Sequence, residues 1–200
     1  MRNKKGKMKI VLFILGSIAI LWIILTILAE RKGAAKTIFI GELNSTRRAL
    51  IVYNPDLFYN LDEQVCTSFA LGLGDGGWGS KLATVTAAEE MIKDTFDLYV
   101  FCANTYNWKP DRPLTQYIIN HPNLEKKNVA AITLGSGSTK KSQYLLEKHI
   151  KQKKGRLLDS KSYWLMKPNK EEPTKKSNVK IAVESARSFG KKIAEQLKNE

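Results

Sequence analysis

Residues 96–102 read Phe-Asp-Leu-Tyr-Val-Phe-Cys, a short run rich in aromatic and apolar side chains. A run of that length without apolar–polar alternation is predicted to be a strand covered on both faces. The chain then changes character at once. Ala103, Asn104 and Thr105 are small or polar, and Tyr106, Asn107, Trp108 and Lys109-Pro110 follow. In open parallel sheets, ligands lie beyond the carboxyl ends of the strands. Two flat aromatic side chains and two amides in that place suit a flat heteroaromatic ligand. They suit equally a surface loop that packs on its own domain beside a proline-stiffened turn.

The same kind of run recurs. Residues 49–53, Ala-Leu-Ile-Val-Tyr, form a continuous apolar stretch, and so do residues 128–134, Asn-Val-Ala-Ala-Ile-Thr-Leu. Further strands are expected within 78–86 and 156–165. Between them lie helical patterns. Over 61–73, Leu61, Val65, Phe69 and Leu73 make one stripe, with Asn60 as the expected N-cap and Asp62 and Glu63 in the first turn. Residues 87–93 are partly helical. Helices are also expected over 112–119, over 140–152 and over 178–197, the last with Ala182, Ala186, Phe189, Ile193 and Leu197 on one stripe. Strand and helix thus alternate five times, which implies a parallel sheet with helices on both faces.

Two glycine-rich stretches invite comparison with phosphate loops. Residues 72–77 follow a helix rather than a strand, so these glycines are expected to end the helix and turn the chain. Residues 135–139, Gly-Ser-Gly-Ser-Thr, follow a strand directly. There, Gly135 and Gly137 let backbone approach a ligand, or the segment is a turn with Ser138 or Thr139 as an N-cap.

The formal charge is +14, from 33 Lys and Arg against 19 Asp and Glu. No zinc-finger spacing, RNP-like strand or helix-turn-helix pattern accompanies it, so nucleic acid is not expected as a partner. Part of the charge lies in residues 1–9, where Arg2, Lys4, Lys5, Lys7 and Lys9 precede an uncharged apolar run over 10–29. That run is long enough for one transmembrane helix and lacks a small-x-small cleavage site, so an uncleaved membrane anchor is expected. The basic tail favours a cytoplasmic N-terminus, with the folded domain outside. A second lysine cluster falls in a polar loop over 166–178, with Pro168 and Pro173. Residues 30–47 read as a linker in which 37–40 could be a strand, and 48–200 as the folded domain. Cys66 and Cys102 form no CxxC motif or metal-ligand cluster, and no nucleophile elbow or His-paired nucleophile supports a hydrolase. His121 and His149 are expected at the surface.

Residues 48–197 resemble the flavodoxin family. The resemblance rests on Arg-Ala-Leu-Ile-Val-Tyr-Asn at 48–54, residues 96–114, residues 127–139 and the closing helix around 185–197. It implies an α/β, flavodoxin-like, three-layer doubly wound fold with a five-stranded parallel sheet of order 2-1-3-4-5. It also implies flavin mononucleotide (FMN) at the switch point, electron transfer and a redox partner protein. The cofactor-binding residues would be Asn54, Asn60, Thr105, Tyr106, Asn107, Trp108, Gly135 and Gly137. One segment departs from the family. Where it has Ser, Thr and Gly around the phosphate, this chain has Asn54-Pro55-Asp56-Leu57-Phe58-Tyr59-Asn60. Two readings follow: a membrane-anchored FMN-dependent electron carrier, or a membrane-tethered binding or scaffold module that keeps the fold without FMN.

Overall fold

A computed structural model describes residues 2–57, 59–171 and 175–198. Phe58 and Pro173 lie outside the described residues. The chain divides into two compact units, residues 1–31 and 32–200. The first is helix α1, Arg2–Ala29. Its segment Gly6–Ala29 has a mean hydropathy of 2.9 and is long and apolar enough to cross a membrane. At about 1.5 Å per residue, its 24 residues span roughly 36 Å.

The second unit is built on a seven-stranded sheet. Its strands are β1 (Thr37–Gly41), β2 (Arg48–Tyr53), β3 (Gly79–Thr84), β4 (Leu98–Tyr106), β5 (Lys109–Pro110), β6 (Asn128–Gly135) and β7 (Arg156–Trp164). The spatial order is β1-β3-β2-β4-β6-β7, with β5 paired to the end of β4. The five parallel strands β2, β3, β4, β6 and β7 therefore stand in the expected order 2-1-3-4-5. Two antiparallel additions extend it, β1 on the outer edge of β3 and the short β5.

Alternate residues of the strands feed two cores. Ala49, Ile51 and Tyr53 of β2 with Leu98, Val100 and Cys102 of β4 pack beneath α2 (Leu61–Gly74) and α6 (Asn178–Lys198). Leu50, Val52, Tyr99 and Phe101 face the other way, toward α3 (Val85–Glu90), α4 (Arg112–Asn120) and α5 (Lys140–Gln152). Both faces of the central strands are dry, which is why their sequences run apolar without alternation.

The segment read as a linker is part of the fold. Gly33 donates its N–H to Asn54 Oδ1 at 3.1 Å. Thr84 and Thr86 donate hydroxyls to the carbonyls of Ala34 and Gly33 at 2.9 and 2.6 Å. Residues 33–36 thus cross the carboxyl ends of β2 and β3 before β1 begins. The glycines of 72–77 include a second device. A Cβ at Gly72 would collide with the Arg187 carbonyl, and one at Gly190 with the Phe69 carbonyl. The two glycines let α2 and α6 cross backbone to backbone.

Two local expectations need correction. His121 is buried, not superficial: its ring meets Tyr99 and Tyr117 edge-on, and its Nδ1 accepts the Asn123 N–H. His149 is half-buried on α5. Cys66 and Cys102 are both free and buried, with their thiols in contact; burial pushes the Cys102 thiol well up.

Candidate functional site

The loop after β2 and the carboxyl ends of β4 and β6 border a cleft beside the switch point of the sheet, which lies between β2 and β4. Its described lining residues are Asp56, Tyr59, Leu61, Asn104, Thr105, Tyr106, Leu134, Gly135, Ser136 and Leu165. They come from the loop after β2, the end of β4, the end of β6 and the end of β7. The cavity volume is about 140 Å³, below the roughly 300–1,000 Å³ usual for small-molecule sites.

The β4 wall is strand, not loop. Pairing with β5 carries β4 on through Tyr106, with Thr105 opposite Pro110 and Tyr106 opposite Lys109. Strand geometry fixes these two side chains. The Thr105 hydroxyl is buried and has no hydrogen-bond partner among the described residues. Gly135 lies against it, and a Cβ there would strike Thr139 Cγ2 at 2.8 Å and Thr105 Cβ at 3.2 Å.

Asn107 and Trp108 form the two-residue turn of this hairpin. Both have left-handed backbone, φ 49° and 61°. Asn tolerates that conformation, whereas a bulky Trp pays about 1 kcal/mol or more for it. Trp108 is 61% exposed, and neither residue lines the cleft. Asn107 and Trp108, expected among the cofactor-binding residues, thus stand at the turn and outside the described lining of the cleft.

The loop after β2 is held by carboxylates. Asp62, buried in the first turn of α2, accepts the Asp56 N–H at 2.6 Å, the Glu63 N–H at 2.8 Å and Asn104 Nδ2 at 3.0 Å. Burial pushes its pKa up, and these three bonds pull it back. Asp56 Oδ1 accepts the Tyr59 N–H at 3.1 Å, and its Oδ2 accepts the Tyr106 hydroxyl at 2.6 Å. That last bond joins the two sides of the cleft. Burial, and then the Asp56 carboxylate, push the Tyr106 pKa upward.

Asn54 is buried in the same network, with its carbonyl accepting Asn104 Nδ2 at 2.9 Å. Asn60 is exposed, makes no side-chain cap and lies away from the cleft. Its expected N-cap role passes to Asp62. Gly137 borders a separate groove with Thr139, Lys161, Trp164 and Lys167. Of the eight sequence-predicted residues, the structure therefore brings Thr105, Tyr106 and Gly135 to the cleft wall and sets Asn54 behind it. Asp56, Asn104 and Ser136 were not predicted as site residues. The signal for Asp56 was the unexpected charge in the loop after the first strand.

No family model and no curated protein matches the chain in sequence. Solved structures do match. A flavodoxin from the domain Archaea is 14% identical, with a TM-score of 0.53 over 76% of this chain and 99% of that one. A WrbA-like flavodoxin from Agrobacterium tumefaciens is 12% identical, with a TM-score of 0.55 over 77% and 99%. The rubredoxin oxygen:oxidoreductase of Desulfovibrio gigas is 18% identical, with a TM-score of 0.58 over 78% of this chain and 37% of that one.

The fold is flavodoxin-like. On a flavodoxin-like fold the N-terminus of α2 is a natural place for a phosphate, because its N–H groups are free to donate. Here the N–H groups of Asp56 and Glu63 already serve Asp62, and Pro55 has none to offer. A phosphate about 4 Å from one of these carboxylates would meet roughly 4 kcal/mol of repulsion at the effective dielectric of a protein surface. The residues present do not fit the phosphate of FMN. Where a ring edge would lie, the Gly135 and Ser136 carbonyls accept the N–H groups of Leu165, Met166 and Lys167, which leaves the Thr105 hydroxyl as the unsatisfied polar group of that wall among the described residues.

Proposed function

We propose that the protein is a membrane-tethered flavodoxin-fold protein with a flavin-related redox role, in which the cofactor is held by its ring. The observation that carries this reading is the Thr105 hydroxyl, buried in the cleft wall without a partner among the described residues. An unsatisfied buried hydroxyl costs about 1–3 kcal/mol, which a ring heteroatom would recover. The position at the switch point and the flavodoxins among the structural neighbours support the same reading. A bound flavin would supply the redox chemistry. The chain's own part is to bind the ring edge at Thr105 and Ser136, to let the backbone close in at Gly135, and to cover the ring with Tyr106. A ring enters only when the Tyr106–Asp56 bond opens, since the closed cleft is too small. Helix α1 would hold the domain at a bilayer, beside a redox partner protein there.

The test is a flavin titration of the full chain in detergent micelles, followed by quenching of flavin fluorescence. Saturable quenching with riboflavin or FMN is expected, weakened about tenfold or more by Thr105→Val. Absence of quenching by either flavin at high micromolar concentration overturns the reading. The alternative is then a flavodoxin-fold module that works without flavin. The Tyr106–Asp56 bond and the small cleft favour that alternative.

A further inference from the structure

We infer that the cleft selects flat heteroaromatic ligands whose tails carry no anion, so that riboflavin binds in preference to FMN. This rests on the flavin reading above and adds what the tail must be. Three observations carry it. The described lining residues include the carboxylate of Asp56 and no Lys or Arg. Three N–H groups near the start of α2 are turned to carboxylates of the protein itself, those of Asp56 and Glu63 to Asp62 and that of Tyr59 to Asp56. The cation beside that helix end, Lys36, is held by Glu63 at 2.7 and 2.8 Å.

The charged group that a tail would meet on the α2 side of the cleft is therefore the Asp56 carboxylate, with the Tyr106 oxygen beside it. The chemistry of the two tails then differs in kind. The hydroxyls of a polyol donate hydrogen bonds to a carboxylate. A phosphate dianion only accepts, and it brings like charge to like charge. When a tail enters, a polyol can take over the bond that Tyr106 gives to Asp56, whereas a phosphate has no proton to give that carboxylate.

The experiment compares riboflavin and FMN on the full chain in micelles at low and high salt, and repeats the comparison with Asp56→Asn. Asparagine keeps an acceptor for the Tyr106 hydroxyl while removing the charge. Riboflavin is expected to bind at least about tenfold tighter than FMN at low salt. Added salt should strengthen FMN binding and leave riboflavin unmoved, because screening acts on the charge alone. Asp56→Asn should narrow the gap in the same direction. The salt series needs no variant, so a poorly folded mutant leaves the result intact. FMN binding as tightly as riboflavin at low salt would overturn the inference while leaving the flavin reading in place. Binding of neither flavin would remove both.

Discussion

Among single residues, His121 and Asp111 make opposite demands on pH. Burial, and then the nearby Lys153 charge, lower the His121 pKa from 6.5 to about 4. The folded chain keeps the ring neutral, while the unfolded chain takes a proton below pH 6.5. Its contribution to stability is thus full above pH 6.5 and is lost as pH falls toward 4. Asp111 is fully buried at the start of α4, where it accepts the N–H groups of Leu114 and Asn104 at 3.0 Å each. Burial raises its pKa from 3.8 to about 7 against those two bonds. Here the folded chain holds the proton more tightly, so stability falls as pH rises from 3.8 to 7. The two slopes oppose each other between pH 4 and 6.5. His121→Phe removes one of them. Relative to the parent, the variant should gain on the order of 2 kcal/mol between pH 6.5 and pH 5, read from urea midpoints. Parallel pH profiles would refute this assignment. At this scale the sequence was partly legible. Thr105, Tyr106 and Gly135 sit at strand ends, and strand ends are visible in an apolar run. The Tyr106–Asp56 bond was not visible, because it joins residues 50 positions apart whose meeting depends on the sheet order. The burial of His121 is not legible locally, because Tyr99 of β4 and Tyr117 of α4 close on its ring and only the Asn123 N–H comes from its own turn.

Secondary-structure elements meet most closely where α2 crosses α6. Phe69 and Phe189 stack edge to face there, with centroids 5.2 Å apart, and Gly72 and Gly190 remove the side chains that would hold the backbones apart. Gly190→Ala gains helix propensity but must push α6 away from the Phe69 carbonyl. Overpacking of this kind costs about 1–3 kcal/mol, more than propensity returns. A lowered urea midpoint with an unchanged m-value is the expected result; an unchanged midpoint would show that the helices can separate freely. The pattern of apolar runs made the five parallel strands and their helices readable, since each strand is covered on both faces. Two pieces are less legible. Residues 37–40 read only as a possible strand, since β1 is an edge strand of alternating exposed and half-buried residues, and five residues alone give no sign of the neighbour they pair with. The last four residues of β4 are small or polar, so the change in character at Ala103 was taken as the end of the strand. The β5 partner keeps them extended. Its turn carries Asn107-Trp108 in place of a glycine signal.

For the molecule as a whole, the proposed anchoring by α1 makes the side on which the folded domain lies directly measurable. Cys66 and Cys102 are buried and free, so a bulky, membrane-impermeant thiol reagent should pass them by in the folded protein. A single cysteine at Lys198, exposed at the end of α6, then reports the side of the membrane on which the domain lies. Labelling in intact cells is expected from the basic tail of residues 1–9; labelling only after lysis would reverse the orientation.

The strap of residues 33–36 has a mechanical consequence. Gly33 abuts Pro55 and is bonded to Asn54, so the chain joins the domain beside the loop that ends in Asp56. Any tension along the preceding residues loads the Gly33–Asn54 and Thr86–Gly33 bonds before it reaches a strand. From Asn54 the load passes along the chain through Pro55 to Asp56, the carboxylate that latches Tyr106.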